Sequence, residues 1–260
     1  METKRFSNKV VVVTGASRGI GQAICVAFAR EGARVLGVAR TELDQTGAKV
    51  QAAGGEFFGI TADLAKGTQK ESKGLFEMIL KHMGRVDALV NNAGIIRRAP
   101  AVDFSQEDWN AVIQTNLSSP FFLCQAAAKW WLTEGRAKSP AGARLKLVNI
   151  ASLLSFQGGI TVPAYTASKH GIAGVTKALA NEWAKERINV NAIAPGYIAT
   201  DNTQALRDDP KRNQAILDRV PEGRWGNPED IAGGCVFLAS SDSDYFNGAV
   251  INIDGGWMGR

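Results

Sequence analysis

Three side chains in the stretch Asn149–Lys169 (NIASLLSFQGGITVPAYTASK) have the types and spacing needed for acid–base chemistry: Ser152, Tyr165 and Lys169. The run after Pro163 has helical composition, and residues four apart lie on one face of a helix. A free tyrosine has a pKa of about 10. A neighbouring ammonium group is expected to lower that pKa toward neutrality. With a serine to hydrogen-bond the same oxygen, the set could add or remove a proton at a carbon that exchanges hydride.

The position of Ser152 supports this hypothesis. The apolar run Leu145–Ile150 predicts a strand, and open α/β sheets bind ligands at the carboxyl ends of their strands. A tyrosine and a lysine four residues apart also occur by chance on solvated helices. The hypothesis therefore depends on the serine and on a nucleotide-binding loop upstream.

A glycine-rich turn provides that loop. Val10–Thr14 predicts a strand, and apolar residues at helical spacing follow the turn until Gly32. Strand, glycine turn and helix N-terminus together form a phosphate-binding site for a dinucleotide, although the spacing G-x-x-x-G-x-G departs from G-x-G-x-x-G. The predicted cofactor-binding residues here are Gly15, Ser17, Arg18, Gly19, Ile20 and Gly21.

The end of the second predicted strand, Arg34–Val38, bears on the choice of cofactor. Enzymes that use NAD commonly place a carboxylate here for the ribose 2′-hydroxyl, whereas Ala39 is neutral and Arg40 is cationic. With Arg18 nearby, the residues favour the 2′-phosphate of NADP(H). NAD(H) remains possible if Arg40 points into solvent and Glu42 or a backbone group holds the ribose.

Further candidates lie at other strand ends. Asp63, with Leu64 beside it, could bind adenine or cap the next helix. Asn92, Ala93 and Gly94 follow the fourth strand, where small and amide residues let the backbone approach a ribose. Asn116 shares one stripe of the amphipathic segment from Gln106 with Trp109, Val112 and Ile113, and this stripe is expected to face the core. It is either a hydrogen-bonded core amide or a residue that bends the helix and holds a water near Lys169.

Composition narrows the class of protein. The 260 residues include 45% hydrophobic and 21% charged residues, which is typical of a globular protein with a sizeable core. The net charge of +5 comes from scattered basic residues, which argues against a nucleic-acid partner.

Cys25, Cys124 and Cys235 are expected to be buried thiols in a reducing compartment. The N-terminal METKRFSNKV lacks an apolar h-region and no apolar run reaches membrane-spanning length, so we expect a cytoplasmic protein without a membrane partner.

Strands alternate with helices along the whole chain. This pattern predicts one α/β domain over residues 1–260, a doubly wound, mostly parallel sheet of the Rossmann type with helices on both faces. A lid-like segment is predicted at about 197–224. The predicted strands are Val10–Thr14, Arg34–Val38, Glu56–Ile60, Val86–Val90, Leu145–Ile150, Ile188–Ile193 and Ala249–Ile253, and the helix that carries Tyr165 is predicted over Ala164–Glu186.

The motifs TGASRGIG at 14–21, NNAG at 91–94, Asn116, Ser152, Tyr165-x-x-x-Lys169 and PG at 195–196 resemble those of the short-chain dehydrogenases/reductases, over essentially the whole chain. The resemblance implies a sheet of seven strands, a homotetramer and a catalytic tetrad. In that tetrad Tyr165 is the general acid or base, Ser152 orients the carbonyl, Lys169 lowers the tyrosine pKa and binds the nicotinamide ribose, and Asn116 holds the water of a proton relay. Cofactor contacts are further implied for Pro195, Gly196, Ile198 and Thr200.

A narrower resemblance is to the 2-dehydro-3-deoxy-D-gluconate 5-dehydrogenase (2-deoxy-D-gluconate 3-dehydrogenase) group, through NNAGIIRR, NIASLLSFQGGI, ILDRVPEGRWG and DGGW. It implies a deoxy sugar acid as substrate. Arg18 and Val38-Ala39-Arg40 depart from that group, which often uses NAD(H), and this departure opens the alternative of an NADPH-dependent reductase of 4-deoxy-L-erythro-5-hexoseulose uronate. Arg97 or Arg98 could then bind the substrate carboxylate and Gln157 a hydroxyl, unless all three are surface residues. The alternatives are a 3-oxoacyl thioester reductase, a gluconate 5-dehydrogenase and a nucleotide sensor without catalysis.

The sequence offers little support for a hydrolase or a metalloenzyme. It has no G-x-S-x-G elbow, and His82 and His170 are expected on the surface. No cluster of histidine, cysteine and aspartate has the spacing of metal ligands, so no metal is predicted.

Overall fold

Seven parallel strands form one sheet in the computed structural model, which describes residues 4–260. The strand order is β3-β2-β1-β4-β5-β6-β7, so the chain winds outward from β1 in both directions, and the predicted doubly wound sheet is confirmed. The strands are β1 Val10–Thr14, β2 Arg34–Ala39, β3 Glu56–Thr61, β4 Ala88–Asn91, β5 Leu145–Ile150, β6 Ile188–Pro195 and β7 Val250–Ile253.

All seven strands agree with the sequence prediction to within two residues at each end. The largest difference at a strand start is in β4, which begins at Ala88 and not at Val86. The carboxylate of Asp87 accepts the Val10 N–H at 2.8 Å. A side chain therefore makes the contact at this edge of the ladder that a strand carbonyl would otherwise make.

Helices cover both faces of the sheet. Alternate residues of β1 point to opposite sides: Val11 and Val13 pack with α1 and α9, and Val10 and Val12 pack on the side of α3, α5 and α6. The helices are α1 Gly19–Arg30, α2 Asp44–Ala52, α3 Gln69–Met83, α4 Gln106–Ile113, α5 Ser119–Trp130, α6 Pro163–Trp183, α7 Gln204–Arg207, α8 Pro210–Leu217 and α9 Pro228–Ala239. None of the helices within residues 4–260 combines the length and the apolar character needed to cross a bilayer.

The amphipathic segment from Gln106 is not one continuous helix. A π-helical turn at Gln114–Ser118 separates α4 from α5. Pro120 has no N–H for the carbonyl of Asn116 four residues earlier, so the regular ladder cannot continue there. The expectation that Trp109 lies on the buried stripe is wrong: Val112 and Asn116 are buried, whereas Trp109, near the start of α4, is 40% exposed.

The predicted lid-like segment contains short elements of its own. A turn at Asp201–Thr203 leads into α7 and α8. Ile216 and Val220 pack against Leu153 and Trp257 in a small apolar cluster. The segment after β6 is thereby attached to the sheet next to the carboxyl end of β5.

Candidate active site

A cavity of about 860 Å³ opens at the carboxyl ends of the strands. Parallel strands bring the residues that follow them to the same edge of the sheet. Nearly all predicted site residues meet here although they come from distant parts of the sequence. Those lining the cavity are Gly15, Ser17, Arg18, Gly19, Ile20, Gly21, Arg40, Asp63, Leu64, Asn92, Ala93, Gly94, Ser152, Tyr165, Lys169, Pro195, Gly196, Ile198 and Thr200.

The glycine turn fits a dinucleotide phosphate. Gly15 has a φ of 66°, in the left-handed region that favours glycine. A Cβ at Gly21 would collide with the Gly15 carbonyl oxygen, so the turn can pack only without a side chain there. Helix α1 begins at Gly19 without a side-chain hydrogen bond to its first N–H groups. Those groups and the positive end of the helix dipole remain available for an anion.

Thr14 contributes a contact that the sequence analysis missed. Its hydroxyl oxygen accepts hydrogen bonds from the backbone N–H groups of Asn92 and Ala93, both at 3.0 Å. The side-chain amide of Asn92 donates to the Thr14 carbonyl at 2.9 Å. These bonds join the ends of β1 and β4 and shape the cavity floor. A hydroxyl residue directly before the first glycine of the turn was the available signal.

Of the two arginines assigned to a ribose phosphate, Arg18 is paired with a carboxylate and Arg40 is not, within the part of the chain that the structure describes. Nη1 of Arg18 lies 2.8 Å from Oδ2 of Asp201, across the mouth of the cavity. Arg40 is exposed and has no carboxylate within 4.0 Å among residues 4–260. Glu42 lines the same end of the cavity, as the NAD(H) alternative requires.

Asp63 performs the capping role foreseen for it. Its Oδ1 accepts the Ala65 N–H at 3.0 Å at the start of the short helix Leu64–Lys66. The residue also lines the cavity, so its second carboxylate oxygen could serve a ligand as well. The two roles proposed for Asp63 are compatible.

Helix α6 presents the acid–base residues to the cavity. It begins at Pro163, which is well suited to a first turn, and it places Tyr165 and Lys169 one turn apart. Nζ of Lys169 lies 5.5 Å from the centre of the Tyr165 ring and donates to the Ile150 carbonyl at 2.6 Å. Ser152 follows β5 as predicted, and its Oγ accepts the Leu154 N–H at 3.2 Å.

The electrostatics of this group differ from the sequence expectation. Burial raises the pKa of Tyr165, and the opposing effects of Ser152 and the Arg98 cation do not overcome it. The pKa of Lys169 itself falls to about 8 because burial disfavours the ammonium form. Burial thus moves the pKa of Tyr165 away from neutrality, and the effect of Lys169 on that pKa stays a prediction.

Comparison with known proteins decides the family. Residues 15–258 match the family model described as enoyl-(acyl carrier protein) reductase. The chain is 51% identical to the 2-dehydro-3-deoxy-D-gluconate 5-dehydrogenase of Escherichia coli K12, over 98% of this chain and 97% of that protein. The chain belongs to the short-chain dehydrogenase/reductase family.

Related proteins agree in sequence and structure. The 2-dehydro-3-deoxy-D-gluconate 5-dehydrogenase of Bacillus subtilis 168 is 50% identical, over 98% of this chain and 96% of that protein. A crystal structure from Agrobacterium tumefaciens, described as a 2-deoxy-D-gluconate 3-dehydrogenase with bound NADP, is also 50% identical. It covers 100% of both chains with a TM-score of 0.89.

The tetrad asparagine of the family resemblance lies beside the cavity and does not line it. Asn116 is 2% exposed. Its Oδ1 accepts the Ile95 N–H at 2.9 Å, and its Nδ2 donates to the Ile95 carbonyl at 2.9 Å and to Ser168 Oγ at 3.2 Å. It thus holds the turn after β4 against α6. Its role in a water relay stays a prediction.

The three predicted substrate residues do not line the cavity either. Arg97 is paired with Asp108, with Nε 3.1 Å from Oδ1. The side-chain oxygen of Gln157 accepts the Trp257 indole N–H at 3.1 Å. Arg98 acts on the acid–base group: its charge favours a lower pKa of Tyr165, and its Nη2 is 3.5 Å from the carbonyl oxygen of Asn202, which lines the cavity.

None of the three cysteines and two histidines, all within residues 4–260, lines the cavity. Cys25, Cys124 and Cys235 are free and buried, as predicted, and burial raises the pKa of the Cys124 thiol to about 12. His82 and His170 are exposed, also as predicted. Among residues 4–260, no group of three or more His, Cys, Asp or Glu is arranged to hold a metal ion.

Proposed function

We propose that this enzyme transfers hydride between NADP(H) and a keto or hydroxy deoxy sugar acid of the 2-dehydro-3-deoxy-D-gluconate type. Reduction of 4-deoxy-L-erythro-5-hexoseulose uronate is the second reaction proposed for the same site. The observation that carries the proposal is the full-length identity of about one half to dehydrogenases of this sugar acid, combined with a cavity that gathers Ser152, Tyr165 and Lys169.

The cofactor assignment is supported by charge. Arg40 lies at the end of β2 without an acidic partner within 4.0 Å in the described chain, and Ala39 before it is neutral. A planar guanidinium suits a phosphate. The related Agrobacterium tumefaciens structure has NADP bound. Glu42 on the cavity wall is the feature that would instead favour NAD(H).

The protein's own residues handle the proton in this proposal. A nicotinamide cofactor supplies the hydride during reduction. Because burial keeps the Tyr165 phenol protonated at neutral pH, that group is set to donate its proton to the carbonyl oxygen of the substrate. Ser152 hydrogen-bonds the same oxygen, and the Lys169 ammonium stabilises the phenolate that remains. Ile198 and Thr200, on the wall after β6, would contact the nicotinamide amide.

Arg98 is the better candidate for the substrate carboxylate. Arg97 is already neutralised by Asp108, whereas within residues 4–260 Arg98 has no carboxylate within 4.0 Å and contacts the Asn202 carbonyl at 3.5 Å. A charge-assisted hydrogen bond contributes roughly 1.5–3 kcal/mol, which corresponds to about 10- to 100-fold in affinity. Gln157 would need to leave Trp257 to bind a hydroxyl, which weakens its case.

The test compares initial rates with NADPH and NADH on keto deoxy sugar acids, gluconate and a 3-oxoacyl thioester. We expect the keto deoxy sugar acids with NADPH to be fastest. Arg98→Gln should raise KM for the sugar acids at least tenfold, and the matched variant Arg97→Gln should change it little. Faster turnover of the thioester would overturn the substrate assignment. Binding of NADPH without turnover of any carbonyl compound would favour a sensor.

Two further predictions concern the state of the protein in the cell. We propose that the chain assembles into a homotetramer in which α6 pairs between subunits, and that it acts in the cytoplasm. Light scattering coupled to gel filtration measures the assembly directly. A monomeric mass at micromolar concentration would contradict it.

A further inference from the structure

The turn Asp201–Thr203 crosses the mouth of the cavity and is attached to its opposite wall. Arg18 belongs to the glycine turn and Asp201 begins the segment after β6, yet Nη1 and Oδ2 lie 2.8 Å apart. A Cβ built at Gly19 would lie 3.5 Å from Cγ2 of Thr200. The two walls therefore meet at this point, and both line the cavity.

The turn is held from other sides as well. The Thr203 hydroxyl accepts the Thr200 N–H at 3.1 Å and donates to the Ile198 carbonyl at 2.7 Å, which fixes the shape of the turn. The Asn202 carbonyl faces Arg98 on the substrate side. The Arg18–Asp201 ion pair attaches the turn on the cofactor side. It is a contact between two side chains, so it can break without a change in the backbone.

Resting on the NADP(H)-dependent function proposed above, we propose that Asp201 is a positioning residue that fastens this turn over the bound cofactor through Arg18. In this proposal the pair separates when a cofactor enters or leaves the cavity. A guanidinium has five N–H donors, and the pair uses only Nη1. Arg18 can thus contact a cofactor phosphate while it holds Asp201.

The expected change in the rate of cofactor release follows from the solvent exposure of the Arg18 and Asp201 side chains. The two side chains are 72% and 69% exposed, and exposed ion pairs stabilise a contact only weakly. Loss of the pair should therefore speed cofactor release by up to about fivefold, not by orders of magnitude. The pair is also screened by salt, because the Debye length falls to about 3 Å at 1 M ionic strength.

The experiment measures cofactor release directly from the intact protein. NADPH or NADH is bound, displaced with excess oxidised cofactor, and followed by its fluorescence in a stopped-flow instrument. Asp201→Asn keeps the size of the side chain and removes its charge. Asp103→Asn makes the same change at an exposed residue that does not line the cavity. We expect release of both cofactors to be about three- to fivefold faster from Asp201→Asn and unchanged from Asp103→Asn.

Two further measurements do not depend on whether the Asp201→Asn variant is catalytically active. About 1 M salt should speed release from the parent protein toward the rate of Asp201→Asn, while that variant should respond less. Amide exchange of residues 200–207 in the cofactor-free protein should be faster in Asp201→Asn. Release that is unchanged or slower in the variant, or faster for NADPH alone, would overturn the proposal, because Arg18 would then act only on the phosphate. The sugar-acid activity of the parent protein is a separate measurement, so the two proposals can fail independently.

Discussion

The buried ammonium of Lys169 should cost the protein stability that a neutral side chain would restore. Lys169 is 4% exposed, and burial lowers its pKa from 10.5 to about 8. At about 1.36 kcal/mol per pKa unit, carrying the charge at pH 7 costs roughly 3 kcal/mol. Lys169→Met removes that penalty. It also leaves the Ile150 carbonyl without its 2.6 Å donor, which costs about 1–3 kcal/mol if no other donor replaces it.

The pH dependence separates these two effects. The unfolded chain binds more protons than the folded protein between about pH 8 and 10.5, so this lysine makes the free energy of unfolding rise with pH across that window. Between pH 7 and 9.5 the parent protein should gain about 2 kcal/mol relative to Lys169→Met. The lost hydrogen bond makes the same contribution at both pH values and cancels from that difference.

Urea unfolding followed by tryptophan fluorescence at pH 7 and pH 9.5, at one protein concentration, measures this change. Lys177→Met alters a lysine on the exposed side of the same helix, where no burial penalty exists to be removed. Catalysis should fall at least a hundredfold in Lys169→Met although the fold is retained. A stability difference between parent and Lys169→Met that stays constant with pH would refute the argument that burial controls this residue.

Three other outcomes follow from the site. Gly21→Ala should weaken NADPH binding at least about tenfold by fluorescence titration, because its Cβ meets the Gly15 carbonyl, whereas Gly74→Ala adds a Cβ in open space and should not. Thr14→Val removes the acceptor of the Ala93 N–H, while the Asn92 N–H keeps the Val90 carbonyl at 3.1 Å, and should lower the free energy of unfolding by about 1–3 kcal/mol in chemical denaturation. If the Lys169 ammonium is required, kcat/KM for the cofactor should fall above about pH 8, and a profile flat to pH 10 would contradict that requirement.

Local patterns in the sequence were sufficient to predict the positions of the strands and of the larger helices. Each strand is an apolar, often β-branched run, and each of the larger helices has apolar residues at helical spacing, so their positions follow from short stretches of chain. Once parallel strands alternate with helices, the residues after each strand must meet at one edge of the sheet. For this reason the glycine turn, Ser152 and Tyr165 could be assigned to one cavity before any coordinates were considered.

Features that depend on partners distant in sequence could not be predicted in this way. The π-helical turn had a local cause in Pro120, yet the partners of Asn116 proved to be Ile95 and Ser168. Arg97 and Arg98 are equivalent in the sequence, whereas in the structure Asp108 pairs with Arg97 and the Asn202 carbonyl faces Arg98. Arg18 was assigned to a phosphate without knowledge of a carboxylate 183 residues away.

The order of residues along the chain thus determined which groups reach the cavity, and the tertiary structure decided their charge states and partners. Side-chain spacing on α6 brought Tyr165 and Lys169 together. How far each pKa moves depends on the water excluded by the whole surrounding protein, and here burial is the largest cause of both shifts. Periodicity is a local property that a sequence displays, whereas desolvation is set by every element packed around the group.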